Sequence, residues 1–331
     1  MRLVLDELAA RTLADRVRCF ATDKAHGGTG PLPQRMADGA VIASRFRALL
    51  GEGVPAVVHL ACGSGWGLTE AGILAALARS AGSRVVIHLH AASLFQRMDS
   101  SAVQRSTALR VLEAADAVAV LGTSMAEGLH ARGLRSPRVA VIPNGVVLGP
   151  STPLPEDATM RWLLVGSVEE RKGLGVVTEA LERLGPGNRE VRWLGPVRAQ
   201  PGAVIRAEAA GITFPGRASP QEVTQALSRS HALLLPSLRE GLPFAVLEAL
   251  AAARPVLASQ VGAIDEVLGR GGRLLPPGDP GALAESIRSW EEDRLSVQAM
   301  GAAARAEVAG GYTVAHTVDA LLKLWSPWWT P

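Results

Sequence analysis

Short apolar runs closed by polar or turn residues recur along the first half of the chain, at Val17–Ala21, Ala56–Ala61, Arg84–His90, Ala117–Leu121 and Val139–Pro143. They are too uniformly apolar for strands with one wet face, so they read as strands buried on both faces. Between them Thr69–Ala81 and Ala102–Ala115 carry apolar residues at helical spacing. Strand–helix alternation of this kind predicts a parallel sheet with helices on both sides. After Pro150 the polar, proline-rich stretch S-T-P-L-P-E-D reads as a linker.

The alternation then restarts. Strands are expected at Trp162–Val165, Val191–Leu194, Ile212–Phe214, Ala232–Leu235 and Pro255–Ala258. Helices are expected at Gly175–Leu184, Pro220–Ser228, Phe244–Ala252 and Pro280–Glu292. The fold class is therefore α/β, with two doubly wound units in series. Ligands of such sheets bind outside the carboxyl ends of the strands, so the cleft between two facing units is the expected site.

A chain of 331 residues, 48% apolar and 20% charged, has the material for two such cores. Its net charge of +3 leaves no basic stripe for nucleic acid. Cys19 and Cys62 stand far apart without metal-ligand spacing, so neither zinc nor a disulfide framework is expected. A reducing cytoplasm is the expected setting. No apolar run reaches membrane-spanning length, and Met1–Arg16 reads as a helix without the marks of a signal peptide.

The densest chemistry lies in Ser237–Leu250, S-L-R-E-G-L-P-F-A-V-L-E-A-L. Pro243 suits the first turn of the helix that follows, because its missing N–H would have no partner there. Free N–H groups at that helix start can meet a diphosphate. Glu240, in the strand-to-helix loop, can accept from sugar hydroxyls, and Glu248, inside the helix, can take a paired ribose diol. By spacing alone the bland alternative is stronger: Glu248 as a solvated helix residue and Glu240 as a partner of the helix dipole.

His231–Leu268 resembles the retaining GT-B glycosyltransferases of glycosyltransferase family 4. The residues that carry the likeness are Pro236-Ser237-x-x-Glu240-Gly241-x-Pro243, Glu248 on the next helix, Pro255-Val256 and Gly262-Ala263-x-x-Glu266. Leu163–Leu181 resembles the family's phosphate-binding strand and loop, and Gly271–Ile287 its G-x-L-x-P-P-G-D-P segment. The resemblance implies that Glu240 holds donor-sugar hydroxyls, with Gly241, Leu242 and Pro243 beside it, and that Glu248 binds the ribose. Lys172 would neutralise the diphosphate as charge builds on the leaving group. Gly216 and Arg217 lie where backbone contacts would select the base. The chain departs from the family at two places. Ser167 stands where an arginine is usual, with Arg171 nearby as a substitute cation, and Ala253 stands where glycine is usual, which implies a changed turn.

In the first half, Gly63-x-Gly65-x-Gly67 after a strand has the look of a dinucleotide fingerprint. The next strand ends in His90, however, where the cofactor ribose needs an acid. A structural glycine turn is the plainer reading. The resemblance instead makes His90 the strand-end histidine that contacts the donor sugar near the reacting carbon, with His88 deeper on the same face. Trp325, Trp328 and Trp329 read as a cap on an apolar groove, with a membrane-interface role as the alternative. The family's opening strand and glycine loop are missing from their usual place, unless Val17–Ala21 and Ala25–Pro31 supply them.

Together these imply a GT-B fold of two Rossmann-like domains facing a cleft. Residues 1–148 form the acceptor side and 149–310 the nucleotide-sugar side, and 311–331 is a helix crossing back. The implied activity is transfer of a hexose from a UDP- or GDP-sugar to an acceptor hydroxyl with retention, by front-face transfer, with neither cofactor nor metal. His90, Lys172 and Glu240 are the catalytic candidates, and Ser167, Arg171, Gly216, Arg217 and Glu248 join the loop on the donor. The acceptor is a glycan, a lipid-linked saccharide or a small molecule, and peripheral contact with the inner membrane face is an option. Two alternatives stand: a nucleotide-sugar epimerase or hydrolase on the same scaffold, or a truncated, non-catalytic binding protein.

Overall fold

The computed structural model describes Val4, Glu7, Phe20 and residues 31–135, 138–156 and 158–329. Apart from Val4, Glu7 and Phe20, the helix expected at Met1–Arg16 and the strand at Val17–Ala21 lie outside the described residues, as do nearly all of the Ala25–Pro31 loop and Cys19. The chain divides into two compact units, Met1–Pro143 with Thr317–Pro331, and Asn144–His316.

The first unit runs α1 (Leu32–Glu52), β1 (Val57–Cys62), α2 (Trp66–Ser80), β2 (Arg84–Leu89), α3 (Leu94–Ser100), α4 (Ala102–Glu113), β3 (Ala117–Val120), α5 (Thr123–Ala131) and β4 (Arg138–Val141). Its strands form one parallel sheet in the order β1-β2-β3-β4. Val85, Val86, Ile87 and all of β3 are fully buried, as their unbroken apolar runs require. Leu68, Leu74, Met98 and Leu112 close the core from the helices.

The second unit runs β5 (Met160–Val165), a 3₁₀ turn (Glu170–Lys172), α6 (Leu174–Leu184), β6 (Arg189–Leu194), α7 (Pro201–Ala209), β7 (Ile212–Gly216), α8 (Pro220–Ser228), β8 (Ala232–Leu235) and α9 (Phe244–Ala251). It continues with β9 (Val256–Ser259), α10 (Ile264–Leu268), β10 (Gly272–Leu275), α11 (Pro280–Glu292) and α12 (Arg294–Gly311); the last helix, α13 (Val314–Trp325), belongs from Thr317 onward to the first unit. All six strands are parallel, in the order β10-β9-β8-β5-β6-β7. The winding reverses between β5 and β8, whose registers pair Trp162 with Ala232 and Leu163 with Leu233. Such a reversal leaves an open crevice at the strands' carboxyl ends.

Two local features differ from expectation or go beyond it. The turn at Ala253 is not changed by the loss of glycine. Ala253 N–H bonds Leu250 O and Arg254 N–H bonds Ala249 O, with Ala253 at φ +58°, which is a complete Schellman motif with alanine in the left-handed position. Arg254 is fully buried. Its guanidinium donates to the carbonyls of Leu227, Ser228, Thr152 and Pro153 and to the Thr152 hydroxyl, which ties the start of the 151–159 stretch to the second unit.

Candidate functional site

The loops that leave β5 and β8 are neighbours because those strands pair directly, and each delivers part of one cluster. The β5 loop turns at Gly173, where φ is +86° and an added Cβ would run into the Pro236 carbonyl of the β8 loop. Leu238 N–H bonds Arg171 O at 2.9 Å, so the two loops are also joined through backbone. This close approach sets Lys172 Nζ 2.6 Å from Glu240 Oε1. Arg171 lies 4.0 Å from the same oxygen and donates to Arg239 O and Glu169 Oε1. The Glu240 side chain is only 7% exposed, so this ion pair is well shielded from solvent.

Ser167 donates to Glu169 at 2.7 Å. Burial opposes ionisation of Glu169, but the Ser167 hydroxyl and the Arg171 and Arg198 cations outweigh it and hold its carboxyl below the usual range. Ser167 is thus paired with a carboxylate, and Arg171 stands with Lys172 in the same loop as a second cation near Glu240.

Gly241, Leu242 and Pro243 complete the β8 loop. Gly262 packs so closely that an added Cβ would meet the Gly241 carbonyl. Leu242 is buried, and its carbonyl accepts from Asn144 Nδ2 at 2.7 Å. Glu248 lies in the second turn of α9, partly buried. Burial raises its carboxyl pKa above the ordinary value, and the carboxylate makes no hydrogen bond or ion pair with any described residue. Gly216 ends the edge strand β7, and the exposed Arg217 after it has no described partner. The structure therefore brings together Ser167, Arg171, Lys172, Glu240 and the loop to Pro243, with Glu248 on the helix that follows. Gly216 sits at the end of the edge strand, where its carbonyl accepts from Gly195 N–H, and Gly195 lies against the Gly166 carbonyl beside Ser167.

The two halves of the chain match two family models. Residues 6–145 match the glycosyl transferase 4-like domain, and residues 160–293 match glycosyl transferases group 1. The chain belongs to the group 1 glycosyl transferases. It is 27% identical over 258 residues to the alpha-maltose-1-phosphate synthase of Mycolicibacterium smegmatis, covering 68% of this chain and 66% of that protein. It is 32% identical over 166 residues to the amylovoran biosynthesis glycosyltransferase AmsK of Erwinia amylovora, covering 45% and 40%. It also matches the teichuronic acid biosynthesis glycosyltransferase TuaC of Bacillus subtilis, of which it covers 33%. The chain thus spans between a third and two thirds of the length of these curated relatives.

Among solved structures, sucrose-phosphate synthase from Thermosynechococcus elongatus superposes with a TM-score of 0.79 at 19% identity, over 92% of this chain and 82% of that one. Anabaena HepE, in complex with UDP and glucose, superposes at 0.70 and 18%, over 90% and 83%. At these identities the likeness is one of fold, the GT-B glycosyltransferase fold.

In the first unit of this glycosyltransferase, His90 follows the last residue of β2 and is exposed. Behind it His88 is 5% exposed, with its ring centroid 4.4 Å from that of His90. His59, on β1, places Nε2 3.2 Å from His88 Nδ1. Burial pushes the His59 pKa down to about 4 and that of His88 well below its ordinary value. Trp325 is buried and its indole bonds His59, so the aromatic end of the chain packs inward at that residue. Cys62 is a buried free thiol, pushed up to about 12 by burial and by the Glu70 carboxylate, so it is protonated and unreactive. Among the described residues no group of three or more His, Cys, Asp or Glu side chains could hold a metal ion, and no helix is long and apolar enough to cross a membrane.

Sequence reasoning missed Asn144 and His59. Asn144 lies in the Pro-Asn-Gly turn after β4, whose only signal was turn chemistry, and its contact with Leu242 spans 98 positions. His59 sits mid-strand, where a lone histidine reads as core.

Proposed function

We propose that this glycosyltransferase moves a hexose from a UDP-linked donor to an acceptor hydroxyl with retention of configuration. The observation that carries the reading is the part-buried Lys172–Glu240 ion pair at the reversal point of the second sheet, followed on the next helix by the Glu248 carboxylate, which has no partner among the described residues. Lys172 and Arg171 take the diphosphate, and the start of α9 adds free N–H groups. Release of Lys172 to phosphate frees Glu240 to accept from sugar hydroxyls. Glu248 accepts the ribose diol, which restores the hydrogen bonds that its partly buried carboxylate lacks.

The donor is assigned to the second unit, and the acceptor and the His90 contact with the transferred sugar to the first. The bound UDP of HepE supports the choice of nucleotide. No carboxylate is assigned as a covalent nucleophile. A diphosphate oxygen receives the acceptor's proton as the glycosidic oxygen bonds to the anomeric carbon on the face the nucleotide leaves. Side-chain cations and backbone N–H groups carry the leaving-group charge.

Calorimetric titration with UDP and UDP-glucose tests the donor site. Removing one charge-assisted hydrogen bond costs about 1.5–3 kcal/mol, so Lys172→Ala and Glu248→Ala should each weaken UDP binding by about ten- to a hundredfold. Glu240→Ala should lose the added affinity for UDP-glucose over UDP. Parent-like binding by all three variants would remove the assignment. The anomeric coupling of the product, read by NMR, decides retention: an inverted linkage from an α-linked donor sinks that half of the proposal.

A further inference from the structure

Trp325, His59 and His88 form one directed hydrogen-bond chain in the first unit, and its direction is forced by its first member. An indole nitrogen can only donate. Trp325 Nε1 lies 3.2 Å from His59 Nδ1, so that nitrogen is bare and His59 is neutral, with its proton on Nε2. Nε2 in turn lies 3.2 Å from His88 Nδ1, which must accept. His88 is therefore also neutral with its proton on Nε2, and this proton meets the Ile142 carbonyl at 3.2 Å. Every ring nitrogen of His59 and His88 is used, none is free for a ligand, and no alternative assignment satisfies all three contacts. The His88 ring then stands 4.4 Å from that of His90, tilted by 43°.

We propose that Trp325, His59 and His88 are positioning residues that fix two neutral imidazoles behind His90 and so set the orientation and the local charge of that ring. The benefit rests on the proposed transfer. Positive charge grows at the anomeric carbon as the donor bond breaks, and protonated imidazoles stacked beneath His90 would oppose it. A donor indole at the head of the chain excludes the His59 tautomer that would turn the relay around. Burial acts in the same direction. Trp325 therefore acts from the last helix on a residue it does not touch.

The test is long-range proton–nitrogen NMR on the full chain labelled with ¹⁵N-histidine, with His59→Gln and His88→Gln variants for assignment. The expected spectrum at neutral pH shows His59 and His88 each with a bare Nδ1 and a protonated Nε2. Trp325→Phe keeps the ring but removes the donor; in it His59 should become a tautomer mixture, and the His88 and His90 ring signals should shift with it. A protonated Nδ1 on either histidine in the parent overturns the proposal, and so does a Trp325→Phe spectrum that leaves all three rings unmoved. Failure of the folded parent to bind UDP or UDP-glucose would instead count against the donor reading, with the tautomer pattern intact.

Discussion

Ala253 is the only non-glycine residue with a left-handed φ among the described residues, and it closes a helix end whose hydrogen bonds are complete. A Cβ in that region costs about 1–2 kcal/mol, while glycine gives back about 0.4–1 kcal/mol through a freer unfolded chain. Ala253→Gly should therefore raise unfolding stability by roughly 0.5–1 kcal/mol, read as a higher urea midpoint with an unchanged slope. A lowered midpoint would mean that the alanine methyl packs usefully. At this scale the sequence misled in an instructive way. A missing glycine suggested a new turn, yet the hydrogen-bonding groups around the position over-determine its geometry, and the side chain bears the strain. At Ser167 the absent arginine is visible in the sequence, whereas the place of Arg171 between Glu169 and Glu240 is not.

Among elements, the Lys172–Gly173 corner shows how backbone makes a site. Gly173 caps the 3₁₀ turn, opens α6 and lies against the Pro236 carbonyl, all with φ at +86°. Gly173→Ala adds left-handed strain and drives the β5 and β8 loops apart without removing a charge. Stability should fall by about 2 kcal/mol or more, and UDP should bind at least tenfold more weakly although Lys172 and Glu240 remain. Calorimetry beside urea unfolding separates the two effects, and unchanged affinity would mean that the close approach does not position the ion pair. The described strands other than β10, and several helices, are legible in the sequence because apolar runs and capping residues agree: Pro220–Ser228, with Ser219 and Glu222 in a capping box, matches its expected span to the residue. Leu32–Glu52 is not legible, since only Ile42 and Phe46 are buried along it. Arg294–Gly311 is not legible either, because its buried side is mostly small, with Gly301 and Ala304 beside Val297 and Val308. The two carboxylates of the proposed donor site are legible from the strand-to-helix motif. The pairing of Glu240 with Lys172 is not, because the two are 68 positions apart.

For the molecule as a whole, the two units carry different electrostatic liabilities. The first holds His59 part-buried and His88 buried, both neutral, whereas the candidate site of the second rests on an ion pair and on carboxylates. A histidine whose folded pKa lies below its unfolded value of about 6.5 stays neutral in the native state and binds a proton on unfolding. Stability is then full above about pH 6.5 and declines as pH falls towards the folded value. For His59, with a folded pKa of about 4, the loss between pH 7 and pH 5 is roughly 2 kcal/mol, and His88 adds to it in the same direction. Lowering the pH over that range should therefore open the first unit selectively. Hydrogen exchange read by mass spectrometry, corrected for intrinsic rates, should show protection falling in Val57–Cys62 and Arg84–Leu89 while Met160–Val165 and Ala232–Leu235 hold theirs. His59→Gln should lessen the dependence by removing its share of the proton uptake and leaving that of His88. Equal losses in both sheets at pH 5 would place the acid sensitivity in the carboxylates of the second unit, and the buried histidines would then be neutral without consequence for stability.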